Sequence, residues 1–166
     1  IIIIGYIIYR IYKGYESHLP QNLISNNEEL AEMFLNGLKT TDKVAYGQEE
    51  NEQLNLIKSF YIRLKEKYKH DPKKLVELSR DWMDYAHGLS SHSTGVYLWL
   101  EEDDKEQASE RDKEIRENLI RVEEIENRFS ELLGEKYKKE LHDFHEAKKK
   151  ASIFYEEKDD LSKSND

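Results

Sequence analysis

The histidines and carboxylates of two predicted helices have the spacing that metal-binding helical bundles use. Residues three or four apart share one face of a helix, so imidazole and carboxylate groups at this spacing can converge on a metal ion. The candidate ligands are Asp84, His87, His142, His145 and Glu146. A di-iron bundle needs two Glu-x-x-His pairs and two further glutamates, whereas this chain has one Asp-x-x-His and one His-x-x-His. Histidines at the surface or the core boundary are the competing interpretation, and a metal-binding bundle enzyme is therefore only the alternative hypothesis.

No other residues have the pattern of a catalytic or nucleotide-binding motif. His92 lies in a Ser-Ser-His-Ser run at residues 90–93, but no glycine-flanked turn after a strand accompanies it, as a serine nucleophile would require. The chain has no cysteine, which excludes disulfides, thiolate zinc sites and cysteine nucleophiles. The sequence also lacks phosphate-binding loops, dinucleotide fingerprints and EF-hand loops. We therefore predict no catalytic residue and no cofactor.

A run of small and hydroxyl residues within the third predicted helix indicates close packing. Glycines and serines in residues 88–95 weaken helix propensity, yet Leu89, Val96 and Trp99 keep the apolar register. We predict a distorted but continuous helix, with a loop as the alternative. The small residues then line a face that another backbone can approach. The predicted helix-crossing or partner-contact residues are Gly88, Ser91, Gly95, Tyr97 and Trp99.

The spacing of apolar residues predicts the helices that position these groups. From about Gln48 to Lys69, apolar residues recur at steps of 3, 4, 3 and 4, and the same steps repeat after Pro72. A proline disfavours helical geometry in the residue before it but fits the first turn of a new helix, and Asp71 is the expected N-cap. The sequence therefore predicts an antiparallel helical hairpin.

A shorter helix is predicted before this hairpin. Ser25 and Glu28 have the spacing of a capping box, in which each side chain satisfies a free backbone N–H of the other residue. Residues 16–27 contain Pro20 and several side chains that compete for backbone hydrogen bonds, so we predict a linker there.

One apolar pattern runs from about Ser109 to Glu157 and predicts a single long helix. Eleven steps between Ile115 and Tyr155 cover 40 residues, about 3.64 residues per step, which is close to the straight-helix period. Such a helix would be roughly 70 Å long. Since a single glycine is short for a reversing loop, we expect no fold-back at Gly134.

Acidic residues precede basic residues by four positions along this segment. At that spacing each pair is expected to form a local ion pair that contributes about 0.2–0.5 kcal/mol. The pairs are Asp112 with Arg116, Glu117 with Arg121, Glu124 with Arg128, Glu135 with Lys139, and Glu146 with Lys150.

Composition limits both the fold and the partners. The 166 residues fit one domain, and two prolines and seven glycines leave few turns, which favours an all-α fold. Residues 101–166 hold 22 acidic and 14 basic residues, a balance of −8 within the total net charge of −9. Because nonspecific nucleic-acid binding depends on Lys and Arg neutralising phosphates, we predict no nucleic-acid partner.

The first fifteen residues resemble the end of a membrane-spanning helix. Residues 1–8 are almost entirely apolar, but a span needs about 20 such residues, so we expect upstream residues to complete it. Tyrosines and basic residues then follow, as is typical of the headgroup layer on the cytoplasmic or equivalent face. A buried element of the fold and a processing remnant are the alternatives. The predicted membrane-edge residues are Tyr6, Tyr9, Arg10, Tyr12 and Lys13.

These patterns predict an all-α helical bundle, formed by an antiparallel hairpin and one long C-terminal helix, with an N-terminal partial transmembrane helix. The expected boundaries are 1–15 for the anchor, 16–27 for the linker, 28–157 for the bundle and 158–166 for a disordered tail. Eleven tyrosines and two tryptophans are numerous for one small core, and such rings are enriched in interfaces. We expect a membrane-tethered scaffold or accessory subunit that docks other protein subunits without catalysis. An extracytoplasmic sensor domain is a further alternative.

Overall fold

Five helices make up the part of the chain that the structure describes. The computed structural model describes the backbone of residues 19–41, 51–100 and 105–163, and the side chains of residues 19–41, 51–94 and 111–150. No strand occurs within those ranges, and the predicted all-α helical bundle is confirmed. In chain order the helices are α1 (Pro20–Thr41), α2 (Glu52–Lys67), α3 (Pro72–Leu100), α4 (Lys105–Leu133) and α5 (Glu135–Lys163).

The first helix begins earlier than the sequence predicts. Pro20 occupies the first turn of α1, where a missing N–H breaks no helical hydrogen bond. The amide of Leu23 donates to the carbonyl of Leu19 at 3.0 Å, which closes that first turn. The prediction of a linker at residues 16–27 is therefore wrong from residue 20 onward.

Ser25 and Glu28 lie inside α1 and do not form the predicted capping box. The Ser25 hydroxyl lies 3.5 Å from the carboxylate of Glu29. The Glu28 carboxylate accepts hydrogen bonds from Tyr61 and Lys65 of α2. The prediction is wrong because Glu28 bonds to a neighbouring helix rather than to the backbone of its own.

The caps and the turn between α2 and α3 agree with the predicted hairpin. The Asn51 side chain accepts a hydrogen bond from the amide of Leu54 at the start of α2. Asp71 accepts one from the amide of Lys74 at 3.0 Å, so it caps α3 as predicted. The chain then reverses, and α3 continues without a break through residues 88–95 to its end at Leu100.

The predicted single C-terminal helix is wrong, because the chain folds back at Gly134. This glycine has a φ of +108°, a conformation that L side chains rarely adopt. The ring of His145 lies 3.1 Å from the Glu126 carboxylate, whereas one straight helix would separate the two residues by roughly 28 Å. The helices α4 and α5 therefore form a second antiparallel hairpin. The helical backbone of α5 also continues to Lys163, past the predicted start of a tail at residue 158.

The third helix is the centre of the bundle. It runs parallel to α1, since Asn27 bonds to Ser79 at 3.0 Å and Phe34 contacts the His87 ring further along both helices. It packs against α4 on another side, whereas α1 and α2 do not pack closely against each other. The buried apolar core draws on all five helices and consists of Ala31, Leu35, Leu38, Leu54, Ile57, Phe60, Tyr61, Leu64, Leu78, Trp82, Tyr85, Ala86, Leu89, Val122, Ile125, Phe129 and Leu141.

The predicted membrane anchor at residues 1–15 lies outside the described residues. Among the helices that the structure does describe, none combines the length and the apolar character needed to cross a bilayer.

Candidate functional site

The predicted metal ligands on α3 contact other groups. Asp84 forms an ion pair with Arg121 of α4. His87 is exposed, lies 3.3 Å from the Ser91 hydroxyl and meets the Phe34 ring edge-on at 4.8 Å between centroids. These two side chains therefore take part in contacts with α4 and α1.

The predicted ligands on α5 lie at a different place in the bundle. His145 bonds to the carboxylate of Glu126, and His142 lines a small groove beside it. Glu146 is half-buried. Within the described side chains, no three histidines or carboxylates form a group that could hold a metal ion. The structure therefore does not bring the five candidate ligands together.

Gly88 lies at a close approach between α3 and α4. A Cβ atom at this position would meet Val122 Cγ2 at 3.1 Å and the Asn118 carbonyl oxygen at 3.5 Å. The absence of a side chain therefore permits the helices to approach at this point. Ser91 lies on α3, where its hydroxyl faces His87.

The other predicted contact residues lie beyond the described side chains. Gly95, Tyr97 and Trp99 belong to the helical backbone of α3, but they follow the last described side chain of that helix, at residue 94. The predicted membrane-edge residues also lie outside the described ranges, and they are Tyr6, Tyr9, Arg10, Tyr12 and Lys13.

The sequence patterns did not predict the buried carboxylate at the meeting point of four helices. Glu126 of α4 is 1% exposed. One of its oxygens accepts hydrogen bonds from the Gln53 amide at 2.7 Å and the Tyr85 hydroxyl at 3.2 Å. The other oxygen accepts from His145 Nε2 at 3.1 Å. We call these four residues, Gln53, Tyr85, Glu126 and His145, the polar centre.

The polar centre keeps the Tyr85 phenol neutral. Burial raises the pKa of Tyr85 well above its ordinary value, and the charge and hydrogen bond of Glu126 raise it further. The neutral hydroxyl can then donate to the carboxylate. A spacing signal for Glu126 was present in the sequence, because Val122, Glu126 and Phe129 are four and three residues apart on one face.

A larger groove of about 650 Å³ lies between α1 and α2. Because these two helices do not pack closely, only long side chains cross the gap, and Tyr61 and Trp82 form its floor. The two rings stack 5.1 Å apart with 7° between their planes. Two apolar side chains that line the groove are well exposed, Met33 at 69% and Ile62 at 58%. We call this feature the interhelical groove.

The rims of the interhelical groove carry opposite charges. Glu28, Glu29 and Glu32 line the α1 side, and Lys58 and Lys65 line the α2 side. Two ion pairs cross the gap, Lys65 with Glu28 and Lys58 with Glu32. All four of these side chains are at least 31% exposed, so each pair contributes little to stability and can be exchanged for a contact with a partner.

The floor of the groove is held in place by Tyr61. Its hydroxyl donates to Glu28 at 2.6 Å, while its ring also lies 6.1 Å from the Phe129 ring. Burial raises the pKa of Tyr61 far above its ordinary value, and the Glu28 hydrogen bond adds to that rise. The floor is therefore aromatic, neutral and fixed by contacts with three other helices.

No protein-family model, curated protein or solved structure matches the chain. The interhelical groove and the polar centre are the features from which a function can be proposed.

Proposed function

We propose that this protein is a membrane-tethered helical scaffold or accessory subunit, which docks another protein subunit in the interhelical groove and carries no catalysis of its own. The exposed Met33 and Ile62 above the aromatic floor are the observation that supports docking. Pockets with apolar walls and a few charged groups are the usual sites for ligand and partner recognition. The tether is supported by the apolar, tyrosine-rich and basic sequence of residues 1–15.

An amphipathic helix is the partner that fits the groove best. The groove is bounded by two helices, so a third helix lying in it would contact both, as in other helix-in-groove complexes. Its apolar face would cover Met33, Ile62 and the aromatic floor. Basic groups on one flank would meet the α1 carboxylates, Glu29 among them, and acidic groups on the other would meet Lys58.

Site-specific photo-crosslinking tests this docking. A photoreactive amino acid replaces Ile62 in the full chain, and the variant is expressed in the native cells so that crosslinking takes place in their membranes. The matched control carries the same photoreactive amino acid at position 120 in place of Ile120. Both isoleucines are exposed, at 58% and 55%, but Ile120 lies on α4 away from the groove. We expect a defined protein adduct at position 62 alone, and we expect Met33→Glu to abolish it.

Three results would contradict the docking proposal. They are the absence of any adduct at position 62, the same adducts at both positions, and an adduct only with a second copy of this chain.

Membrane extraction tests the tether separately. The protein expressed from its complete reading frame should stay in the membrane pellet after a high-salt alkaline wash, whereas a variant lacking residues 1–15 should be released. A Met33→Glu/Ile62→Glu variant is the control, and it should remain in the pellet because lipid rather than the partner holds it. Release of this control, or retention of the deletion variant, would contradict the tether.

A further inference from the structure

A single glycine connects α4 to α5. Gly134 is the only residue between α4 and α5, and its φ is +108°. A Cβ atom at this position would have no neighbouring heavy atom within 4 Å. The space beside the Gly134 Cα is therefore open, and no side chain of another helix blocks the connection there.

Few apolar contacts hold the described side chains of α5 against the bundle. In its described part, residues 135–150, Leu141 is the single buried side chain, and Tyr137 lies half-buried against the Phe60 ring at 5.5 Å. By contrast, α2 buries five apolar or aromatic side chains over 16 residues. Since burial of apolar surface is the main force that holds helices together, residues 135–150 of α5 are held less firmly than α2.

Polar groups also join α5 to α4 and α2, and a gap remains beside them. His145 donates to the buried Glu126, and Lys148 donates to the Gln53 amide oxygen at 3.3 Å. A groove of about 260 Å³ remains beside them, lined by Ser130, His142 and other polar side chains. Burying a carboxylate is unfavourable unless hydrogen bonds from its partners compensate for the lost water. Movement of α5 away from α4 would expose Glu126 to water again, which reduces the cost of losing the bond to His145.

We infer that α5 is a hinged arm, which opens about Gly134 while the other four helices stay folded, and that the bond between His145 and Glu126 is its latch. Opening uncovers Leu141 and Phe60, whose ring packs against Tyr137 of α5. In the closed state α5 covers a second apolar surface, which is distinct from the interhelical groove between α1 and α2.

Thiol labelling of the full chain tests the arm directly, because the natural sequence has no cysteine. Two single variants are compared, Leu141→Cys on α5 and Leu78→Cys on α3. Both leucines are buried, at 3% and 0% exposure, so each thiol reacts only after its surroundings open. We expect the thiol of Leu141→Cys to react at least about tenfold faster, since local opening needs less free energy than global unfolding. Equal labelling rates would overturn the inference.

The latch is tested in the Leu141→Cys background. Adding His145→Ala should accelerate labelling by roughly tenfold, the effect expected for a lost hydrogen bond to a buried charge. His142→Ala, at an exposed histidine of the same helix, is the matched control and should leave the rate unchanged. No effect of His145→Ala, or the same increase with His142→Ala, would show that the bond between His145 and Glu126 is not the latch.

Discussion

Glu126 illustrates how a helical bundle accommodates a buried charge. The carboxylate is 1% exposed and accepts three hydrogen bonds, from Gln53, Tyr85 and His145. The three donors come from three different helices, so the charge is compensated only when all of them are assembled around α4. Removing one partner from such a group is destabilising, because it leaves the buried charge incompletely compensated.

The two buried tyrosines predict a loss of stability at alkaline pH. Because burial raises the pKa of Tyr61 and Tyr85, the unfolded chain releases these protons first as the pH rises above about 10. The free energy of unfolding should therefore fall, by about 1 kcal/mol per tyrosine between about pH 8 and about pH 10.5. Urea unfolding at the two pH values measures this difference.

Substitutions assign that pH dependence to particular residues. Tyr85→Phe should lower the stability at neutral pH, because it removes a donor to Glu126, but it should also reduce the alkaline loss. Tyr68→Phe, at a half-buried tyrosine, is the control. An alkaline loss of the same size in Tyr85→Phe and in the unchanged protein would contradict the assignment.

At the level of the helices, a single residue, Gly134, decides whether the C-terminal segment forms one long helix or the two helices of a hairpin. The apolar period continues across Gly134, so periodicity alone predicts no interruption. The glycine amide still bonds to the Ser130 carbonyl at 2.9 Å, and its own carbonyl accepts from Tyr137 at 2.9 Å. With a positive φ at Gly134, the last turn of α4 and the first turn of α5 are both satisfied although the direction of the chain reverses.

Two glycine substitutions should therefore have opposite effects. Gly134→Ala should destabilise the protein by about 1–2 kcal/mol, because alanine disfavours a positive φ. Gly37→Ala should stabilise it by up to about 1 kcal/mol, because Gly37 lies inside α1 and its new Cβ would contact Ser90 Oγ at an ordinary 3.7 Å. Urea denaturation of both variants measures the difference, and a stabilising Gly134→Ala would contradict the role assigned to the turn.

Across the whole molecule, the described helices share one apolar core. Phe129 is fully buried on α4 and faces Tyr61 of α2. Phe129→Ala should therefore lower the free energy of unfolding by about 3–5 kcal/mol. This is a large part of the about 5–15 kcal/mol that holds an ordinary domain together.

Ile120→Ala is the matched control for this substitution on the same helix. Ile120 is 55% exposed, so its truncation should change the free energy of unfolding by less than about 0.5 kcal/mol. Thermal and urea unfolding compare the two variants. Similar losses in both would show that α4 does not pack by the face that carries Phe129.

Local spacing determines some ion pairs on α4, and the assembled molecule determines others. Asp112 and Arg116 form the predicted pair at 2.9 Å. Arg121, however, pairs with Asp84, and Arg128 pairs with Asp81 at 2.9 Å. The predicted local pairs are replaced because the antiparallel α3 presents carboxylates to the same face of α4.

The order of amino acids alone was sufficient to predict the helical class, the turn capped by Asp71 and most of the buried residues of α2 and α3. Ile57, Leu78 and Tyr85 are fully buried where the spacing of three and four predicts a core face. These features follow from interactions within a few residues, namely helix periodicity, capping and the geometry of proline.

Three features depend instead on how the helices assemble. The chain reverses at Gly134, Glu126 is buried, and a gap between α1 and α2 forms the interhelical groove. Each involves residues far apart in sequence, such as Glu126 with His145 and Glu28 with Lys65. Local spacing places Glu126 on the seam, but a charged side chain there is compatible with an exposed or a buried arrangement. A glycine within an unbroken period is likewise compatible with one continuous helix or with a reversal of the chain. The outcome depends on whether other helices supply hydrogen-bond donors or leave a gap.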